Sequence, residues 1–243
     1  MKKLFILGCF LNTFLANDSI LTLKKESMHF QIFYSEQDAS IIDTMSDKAE
    51  IFHHYFSKIF NNSLDTKKKI YLYPDRETFC KDLGKTNTPE WMVAHWDGIG
   101  NVSMVSPQNP GTFHTHNSIL KIFELNIAKL ILSPNKTTPH WLTFGITAYE
   151  TAYNKNNSKK NVPHWQDLND IYNPNFFTSA TLFVEFIYMR WGRKKALELA
   201  QDYCNFKKIL GISYDEFQEQ CTKWAQNIIS DKDAPYGSSQ LNM

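Results

Sequence analysis

Residues 117–153 read NSILKIFELNIAKLILSPNKTTPHWLTFGITAYETAY and predict two helices joined by a short polar turn. Asn117 is a residue type that favours the N-cap position. Apolar residues recur at three- and four-residue spacing in the first helix, which indicates one buried face: Ile119, Ile122, Phe123, Ile127, Leu130 and Ile131. Pro134 ends this helix, and Pro139 suits the first turn of the second. We expect the two helices to pack against each other.

The elements on both sides of this helical pair predict an α+β fold. Before it, the patterns indicate strands at 28–34 and 70–73, a long amphipathic helix at 38–60, and a hairpin of 91–95 with 99–105 around an Asp-Gly turn. After it, they indicate helices at 176–191, 194–206 and 215–229. We therefore expect an N-terminal lobe with a small mixed or antiparallel sheet and helices, and a mainly helical C-terminal lobe.

The lobe boundaries follow from composition. The polar stretch 154–161 predicts a surface loop between lobes of about 25–153 and 162–230. Residues 231–243 are polar and predict a flexible tail. His53 and His54 are adjacent in the long helix, so they point to different faces, and we interpret them as surface and groove residues rather than as a pair of ligands.

The N-terminus is typical of an export signal. Lys2 and Lys3 precede an apolar run that reaches Ala16, and this run is shorter than the roughly 20 residues that span a bilayer. We expect a signal peptide at 1–16 and an exported protein, whether secreted, periplasmic or at the cell surface. A lipoprotein anchored at Cys9 is the less favoured interpretation, because apolar sequence continues beyond it. Without a second long apolar segment, we expect no stable membrane span.

Charge and cysteine content limit the partners. The chain has 243 residues and a net charge of +1, so electrostatics gives no reason to expect nucleic acid as a partner. Its hydrophobic content of 42% suffices for a sizeable core. Without the signal, three cysteines remain, which is too few for a disulfide framework. Cys204 and Cys221 could form one bridge or be buried free thiols.

The helical pair resembles the core of the gluzincin-type metallopeptidases, specifically the peptidase-MA-like domains. Those domains carry H-E-x-x-H on one helix and W-L-x-E-G-x-A-x-Y on the next. The matching segments here are Phe123-Glu124-Leu125-Asn126-Ile127 and Trp141-Leu142-Thr143-Phe144-Gly145-Ile146-Thr147-Ala148-Tyr149. The order of elements over about residues 25–230 supports the resemblance, which implies a thermolysin-like (gluzincin) catalytic-domain architecture.

The resemblance also implies that the zinc ligands are lost. Phe123 and Ile127 stand at the two histidine positions and Phe144 at the third-ligand position, and none of these side chains has a lone pair for zinc. Glu124, at the general-base position, would have no activated water to deprotonate. We therefore expect no metal and no cofactor. The resemblance places Trp141, Tyr149 and Tyr172 around the former pocket.

Three hypotheses of function follow. The leading one is an exported, catalytically degenerate metallopeptidase homologue, not an active enzyme, whose groove and hairpin edge bind an extended peptide or a protein. The second is an active zinc metallopeptidase with relocated ligands from His114 and His116, together with His140, Glu124 or Glu150. The third is a non-peptidase extracellular binding module that uses exposed tryptophans, for instance for carbohydrate. The sequence does not identify the ligand or the oligomeric state.

Overall fold

A computed structural model describes residues 21–85, 88–98, 100–134, 136–153, 164–173 and 175–230. The predicted signal peptide, the loop 154–161 and the tail 231–243 lie outside these residues. The described chain is a mixed α+β fold with these elements: β1 Leu23–Glu26, β2 Phe30–Tyr34, α1 Ile42–Phe60, β3 Lys68–Tyr73, α2 Arg76–Asp82, β4 Ala94–Trp96, β5 Asn101–Val105, α3 His116–Leu132, α4 His140–Glu150, α5 Phe176–Gln201, α6 Phe206–Leu210 and α7 Tyr214–Ser230. None of these helices has the length and apolar character of a membrane-spanning segment.

The five strands form one mixed sheet in the order β1-β2-β3-β5-β4. The inner strands β2, β3 and β5 are parallel, and the edge strands β1 and β4 are antiparallel to their neighbours. The buried side chains Ile32, Ile70, Leu72, Val102 and Met104 anchor the inner strands in the core. The sequence analysis missed β1, because three of its four residues are charged and only half of its positions are partly buried.

The predicted hairpin is confirmed, with β4 antiparallel to β5 and Trp96 paired with Val102. The Asp97 carboxylate holds the turn, because one of its oxygens accepts hydrogen bonds from the backbone N–H groups of Gly100 and Asn101, both at 2.9 Å. Gly98 in this turn has a φ of 79°, a backbone conformation that glycine adopts without strain. The turn places β4 at the edge of the sheet.

Helix α3 begins earlier than predicted. Its N-cap is Thr115 rather than Asn117, and Thr115 forms a capping box with Ser118. Pro139 is the N-cap of α4, one position before the predicted first turn. A capping box opens the last helix, α7, because the Glu216 carboxylate accepts from Ser213 N and the Glu216 N–H donates to Ser213 Oγ.

Helix α5 consists of two helical segments divided at Gly192, as the predicted helices 176–191 and 194–206 require. Gly192 is non-helical, with φ 79° and ψ 165°, so it breaks the helix as expected, but helical residues continue to Gln201. The helix predicted for 194–206 therefore stops at Gln201, and a short turn leads into α6. The first half of α5 packs against α4, and Gly145 lies directly against the α5 backbone. A Cβ atom at Gly145 would lie 2.4 Å from the carbonyl oxygen of Ala180.

We predict that Gly145→Ala destabilises the fold by about 3 kcal/mol, because the new methyl group would overlap the α5 backbone and Val184. Urea-induced unfolding followed by tryptophan fluorescence measures this change. Gly84→Ala is the control: Gly84 also resists substitution, through a φ of 62°, but no atom lies within 4 Å of its added Cβ. Its expected cost is about 1 kcal/mol. Equal costs in the two variants would contradict a steric role for Gly145.

Candidate functional site

Glu124 lies in α3 and is half-buried. Its carboxylate accepts from the Lys121 ammonium at 2.7 Å, and that ammonium also donates to the carbonyl oxygen of Thr151, just after α4. Glu124 is thus paired with a cation from its own helix. This pairing links α3 to the end of α4, and it leaves Glu124 in a structural contact rather than beside a reactive centre.

The two apolar residues at the histidine positions pack into the core. Phe123 and Ile127 are both 1% exposed, and they lie one turn apart on the same face of α3. The ring of Phe123 contacts Phe52 of α1, with 6.4 Å between the ring centroids. Phe123 and Phe144 have no ring partner in common. The structure thus brings Phe123 to α1 and does not bring it into ring contact with Phe144.

Phe144 lies instead in a group of aromatic residues that we name the Phe144 cluster: Trp91, Phe144, Tyr153, Tyr172, Phe176 and Phe177. The Phe144 ring is 4.7 Å from Phe177, 6.0 Å from Phe176 and 6.2 Å from Tyr153 between centroids. Trp91 extends the cluster, at 5.4 Å from Phe177 and 6.4 Å from Tyr172. Tyr172 is 44% exposed, so one end of the cluster reaches solvent.

Lys129 brings a positive charge to this cluster. Its ammonium lies 5.3 Å from the centroid of the Phe144 ring, within the range of a cation–π interaction. Burial lowers the pKa of Lys129 to about 8. Lys129 is two residues beyond Ile127, hence about 200° further around α3. The face of α3 that meets Phe144 is therefore a different face from the one that carries Phe123 and Ile127.

The edge strand β4 lies near this charge. Its His95 side chain is largely buried, and burial lowers the pKa of His95 to about 4, with the charges of Lys85 and Lys129 acting in the same direction. His95 is therefore neutral near pH 7. Asp97 and His140 also act on His95, so donor groups lie near β4. The third-ligand position itself does not fit zinc, because the Phe144 ring has no lone pair and the Lys129 ammonium lies over its face.

The predicted pocket residues Trp141, Tyr149 and Tyr172 make ring contacts with different neighbours and not with one another. Trp141 is 3% exposed and packs on Trp165, Phe183 and Tyr203 inside the helical part of the core. Tyr149 is 38% exposed and lies against Tyr188, 4.7 Å away between centroids. Of the three, only Tyr172 contacts the Phe144 cluster.

The histidines proposed as relocated ligands make structural hydrogen bonds. His114 Nε2 is 2.8 Å from the carbonyl oxygen of Trp91, and His116 Nδ1 is 2.9 Å from that of Pro107. The Glu150 carboxylate accepts from Tyr188 at 2.9 Å and from two nitrogens of Arg193, which joins α4 to α5. Each of these groups thus has a role in the fold. None of them belongs to the metal-compatible side-chain group found in the described residues.

The tryptophans are distributed through the packed parts of the fold, whereas the cysteines range from exposed to buried. None of the six tryptophans is exposed, and Trp141 is fully inside the core. This distribution counts against a shallow sugar-binding groove built from tryptophans. Cys80, Cys204 and Cys221 are free thiols, so Cys204 and Cys221 do not form a bridge. Cys204 is exposed, whereas only Cys221 is fully buried.

The sequence analysis missed one cluster of chemically active side chains. His29, Glu50 and His53 place three ligand atoms within 4.8 Å of one another, and they form the metal-compatible group of the described residues. His53, which the sequence predicts as a surface or groove residue, lines a polar cleft although it is only 6% exposed. The available signal was Glu50-x-x-His53 on the predicted helix 38–60, since residues three apart share a helix face.

Comparison with known proteins finds no family model that matches this chain and no curated protein with significant sequence similarity to it. The resemblance to the metallopeptidases therefore stays a prediction from the sequence frame alone.

We predict that the stability penalty of Lys129 disappears at high pH. Its folded-state pKa of about 8 lies below the unfolded value of 10.5, so the unfolded chain binds more protons between these values and stability rises with pH. Lys129→Met removes the buried ammonium and should be more stable than the wild type at pH 7 by about 3 kcal/mol. We expect this advantage to vanish by pH 10.5, measured by urea unfolding at each pH.

Lys208→Met is the matched control, because Lys208 is an exposed lysine of α6. Its difference from the wild type should stay small and nearly constant over the same pH range. Ionisation of the tyrosines affects all three proteins alike and cancels in the comparison. A Lys129→Met advantage that does not change with pH would contradict a desolvated ammonium at the Phe144 cluster.

Proposed function

We propose that this chain is an exported, catalytically degenerate homologue of the peptidase-MA-like metallopeptidases that binds an extended peptide or a protein segment. The proposal includes a thermolysin-like architecture, in which a mixed sheet with an antiparallel edge strand precedes two consecutive helices and a helical C-terminal part. The observation that carries it is the Lys129 ammonium over the Phe144 ring, where the sequence frame expects a carboxylate ligand.

The chemistry of this contact supports the loss of zinc. A ligand glutamate at position 144 would bring a negative charge and two lone-pair oxygens, whereas phenylalanine offers only the face of its ring. An ammonium above that face repels a divalent cation and occupies volume beside it. Glu124 is paired with Lys121, so the side chain at the general-base position is held in an ion pair. These features together favour a protein without hydrolytic activity.

The proposed binding groove runs along β4 and the Phe144 cluster. Strand β4 is at the edge of the sheet, where an extended peptide could add a further strand through backbone hydrogen bonds. The solvent-facing end of the Phe144 cluster, at Trp91 and Tyr172, offers aromatic surface for apolar side chains of that peptide. Because β4 has only three residues, we expect these aromatic contacts to supply much of the binding energy.

Relocated-ligand catalysis is the less favoured function, because His114 and His116 bond to backbone carbonyl oxygens. We predict that the purified chain does not hydrolyse a fluorescence-quenched random peptide library, with or without added Zn²⁺. Glu124→Gln should give the same trace as the wild type. Zinc-dependent cleavage that Glu124→Gln abolishes would overturn the loss of catalysis.

Binding is tested separately. We expect a phage-displayed library of random 12-residue peptides to yield enriched sequences on the immobilised chain. Tyr172→Ala should weaken binding of the enriched peptides about tenfold, because it removes an exposed ring of the Phe144 cluster. Tyr55→Ala is the control, since Tyr55 is a similarly exposed tyrosine on α1.

The comparison of the two tyrosine variants decides the position of the groove. Fluorescence polarisation of labelled synthetic copies of the enriched peptides gives the dissociation constants. Binding that survives Tyr172→Ala, or that Tyr55→Ala weakens equally, would contradict a groove at the Phe144 cluster. An unenriched library would contradict peptide binding itself.

A further inference from the structure

The His29–Glu50–His53 group lies at the other edge of the sheet from β4. His29 is in the turn between β1 and β2, and Glu50 and His53 are one helical turn apart on α1. The group is therefore separate from the Phe144 cluster and from the helices that resemble the peptidase core. It does not depend on the function proposed above.

Three hydrogen bonds fix the Glu50 carboxylate. One oxygen accepts from Ser27 Oγ at 2.5 Å and from the backbone N–H of His29 at 2.8 Å, and the other lies 2.6 Å from His29 Nδ1. Burial opposes ionisation of Glu50, but the hydrogen bonds from His29 and Ser27 outweigh it and lower the pKa of the carboxylate. The β1–β2 turn thus holds an ionised carboxylate and an imidazole in contact.

His53 completes the group from the buried side. Its ring stacks on that of His29, with centroids 3.6 Å apart and planes inclined by 19°. Its Nε2 lies 3.3 Å from Ser57 Oγ and 3.5 Å from Ser63 Oγ. Burial lowers the pKa of His53, and the nearby His29 adds to this effect, so the ring favours the neutral form that has a free lone pair.

The group opens to solvent through a polar cleft. The cleft has a volume of about 680 Å³, and its lining includes His54, Ser57, Asn61 and Ser63 besides the three residues of the group. A hydrated ion can therefore reach the three ligand atoms without any movement of the backbone. The same opening leaves room for a water molecule in a fourth coordination position.

We propose that His29, Glu50 and His53 form a binding site for a divalent transition-metal ion of the zinc class. Two imidazole nitrogens and one carboxylate oxygen are donors that zinc accepts in proteins, and three protein ligands with one water complete a tetrahedral shell. The ion displaces the proton between His29 Nδ1 and Glu50, and that proton passes to solvent.

Binding requires one local rearrangement. An ion between two stacked rings would lie outside both ring planes, whereas an imidazole nitrogen coordinates within its own plane. One ring must therefore turn about its Cβ–Cγ bond, and the cleft beside the serine hydroxyls gives the His53 ring room to do so. The hydrogen bond from the His29 backbone N–H to the Glu50 carboxylate keeps the other two ligands in place while the His53 ring rotates.

Calorimetric titration of the untagged chain with Zn²⁺ at pH 7.5 tests the site. We expect one equivalent to bind with a dissociation constant on the order of micromolar. His29→Ala, Glu50→Gln and His53→Ala should each weaken binding about tenfold or more. The matched control is His54→Ala, because His54 lies on the same helix and lines the same cleft. Cys204→Ser, which removes the exposed thiol, should leave binding unchanged.

Imidazole ¹⁵N NMR of the wild type gives a second measurement that does not depend on the folding of any variant. Zn²⁺ should shift the nitrogen resonances of His29 and His53 and leave those of His54 in place. Absence of stoichiometric binding would overturn the proposal. So would binding lost in His54→Ala or Cys204→Ser, binding retained in His53→Ala, or resonances of His29 and His53 that do not respond.

Discussion

The close approach of α4 and α5 at Gly145 is the constraint on which the arrangement of the candidate groove depends. A Cβ atom at this position would overlap both the backbone of Ala180 and the side chain of Val184, so only glycine allows the helices to meet at this distance. Phe144 is the residue before Gly145. Its ring is therefore carried to the start of α5, where it meets Phe176 and Phe177. A larger separation of the two helices would open a gap in this aromatic packing.

The same packing explains how the fold accommodates a buried ammonium. A lysine that loses its water is destabilised unless an opposite charge or a polarisable surface replaces that water. The face of the Phe144 ring supplies part of this replacement for Lys129. A carboxylate at position 144 would have supplied more, but its oxygens would also have been donor atoms for a metal ion. The aromatic residue gives a site that tolerates one positive charge and offers a divalent ion no donor atom.

The helices and strands with strong hydrophobic periodicity could be predicted from the sequence. Which face of each helix packs against which neighbouring element could not. Residues 117–153 gave both helices of the pair, and the Asp-Gly turn gave the hairpin, because these signals are local. The sequence did not predict β1, because its hydrophobic pattern is weak. The strand forms through its antiparallel backbone pairing with β2, which is not a local signal. Likewise, the sequence placed Phe123 and Phe144 in successive helices. It did not show that Phe123 packs against α1, or that the face of α3 with Lys129 packs against Phe144. That outcome depends on which neighbours surround α3.

Helix α1 contacts both α3, through Phe52, and the β1–β2 turn, through the His29–Glu50–His53 group. Phe52 packs against Phe123 of α3, while the adjacent His53 and the nearby Glu50 reach the β1–β2 turn. Consecutive residues of a helix point about 100° apart, so one helix can serve the core on one face and a polar cluster on another. A phenylalanine at position 123 strengthens the apolar contact that holds α1 against α3. Side chains on a helix that is held by core packing lose less conformational entropy on binding a ligand than side chains on a loop. The apolar contact of Phe123 with one face of α1 is therefore compatible with a donor cluster on another face of α1.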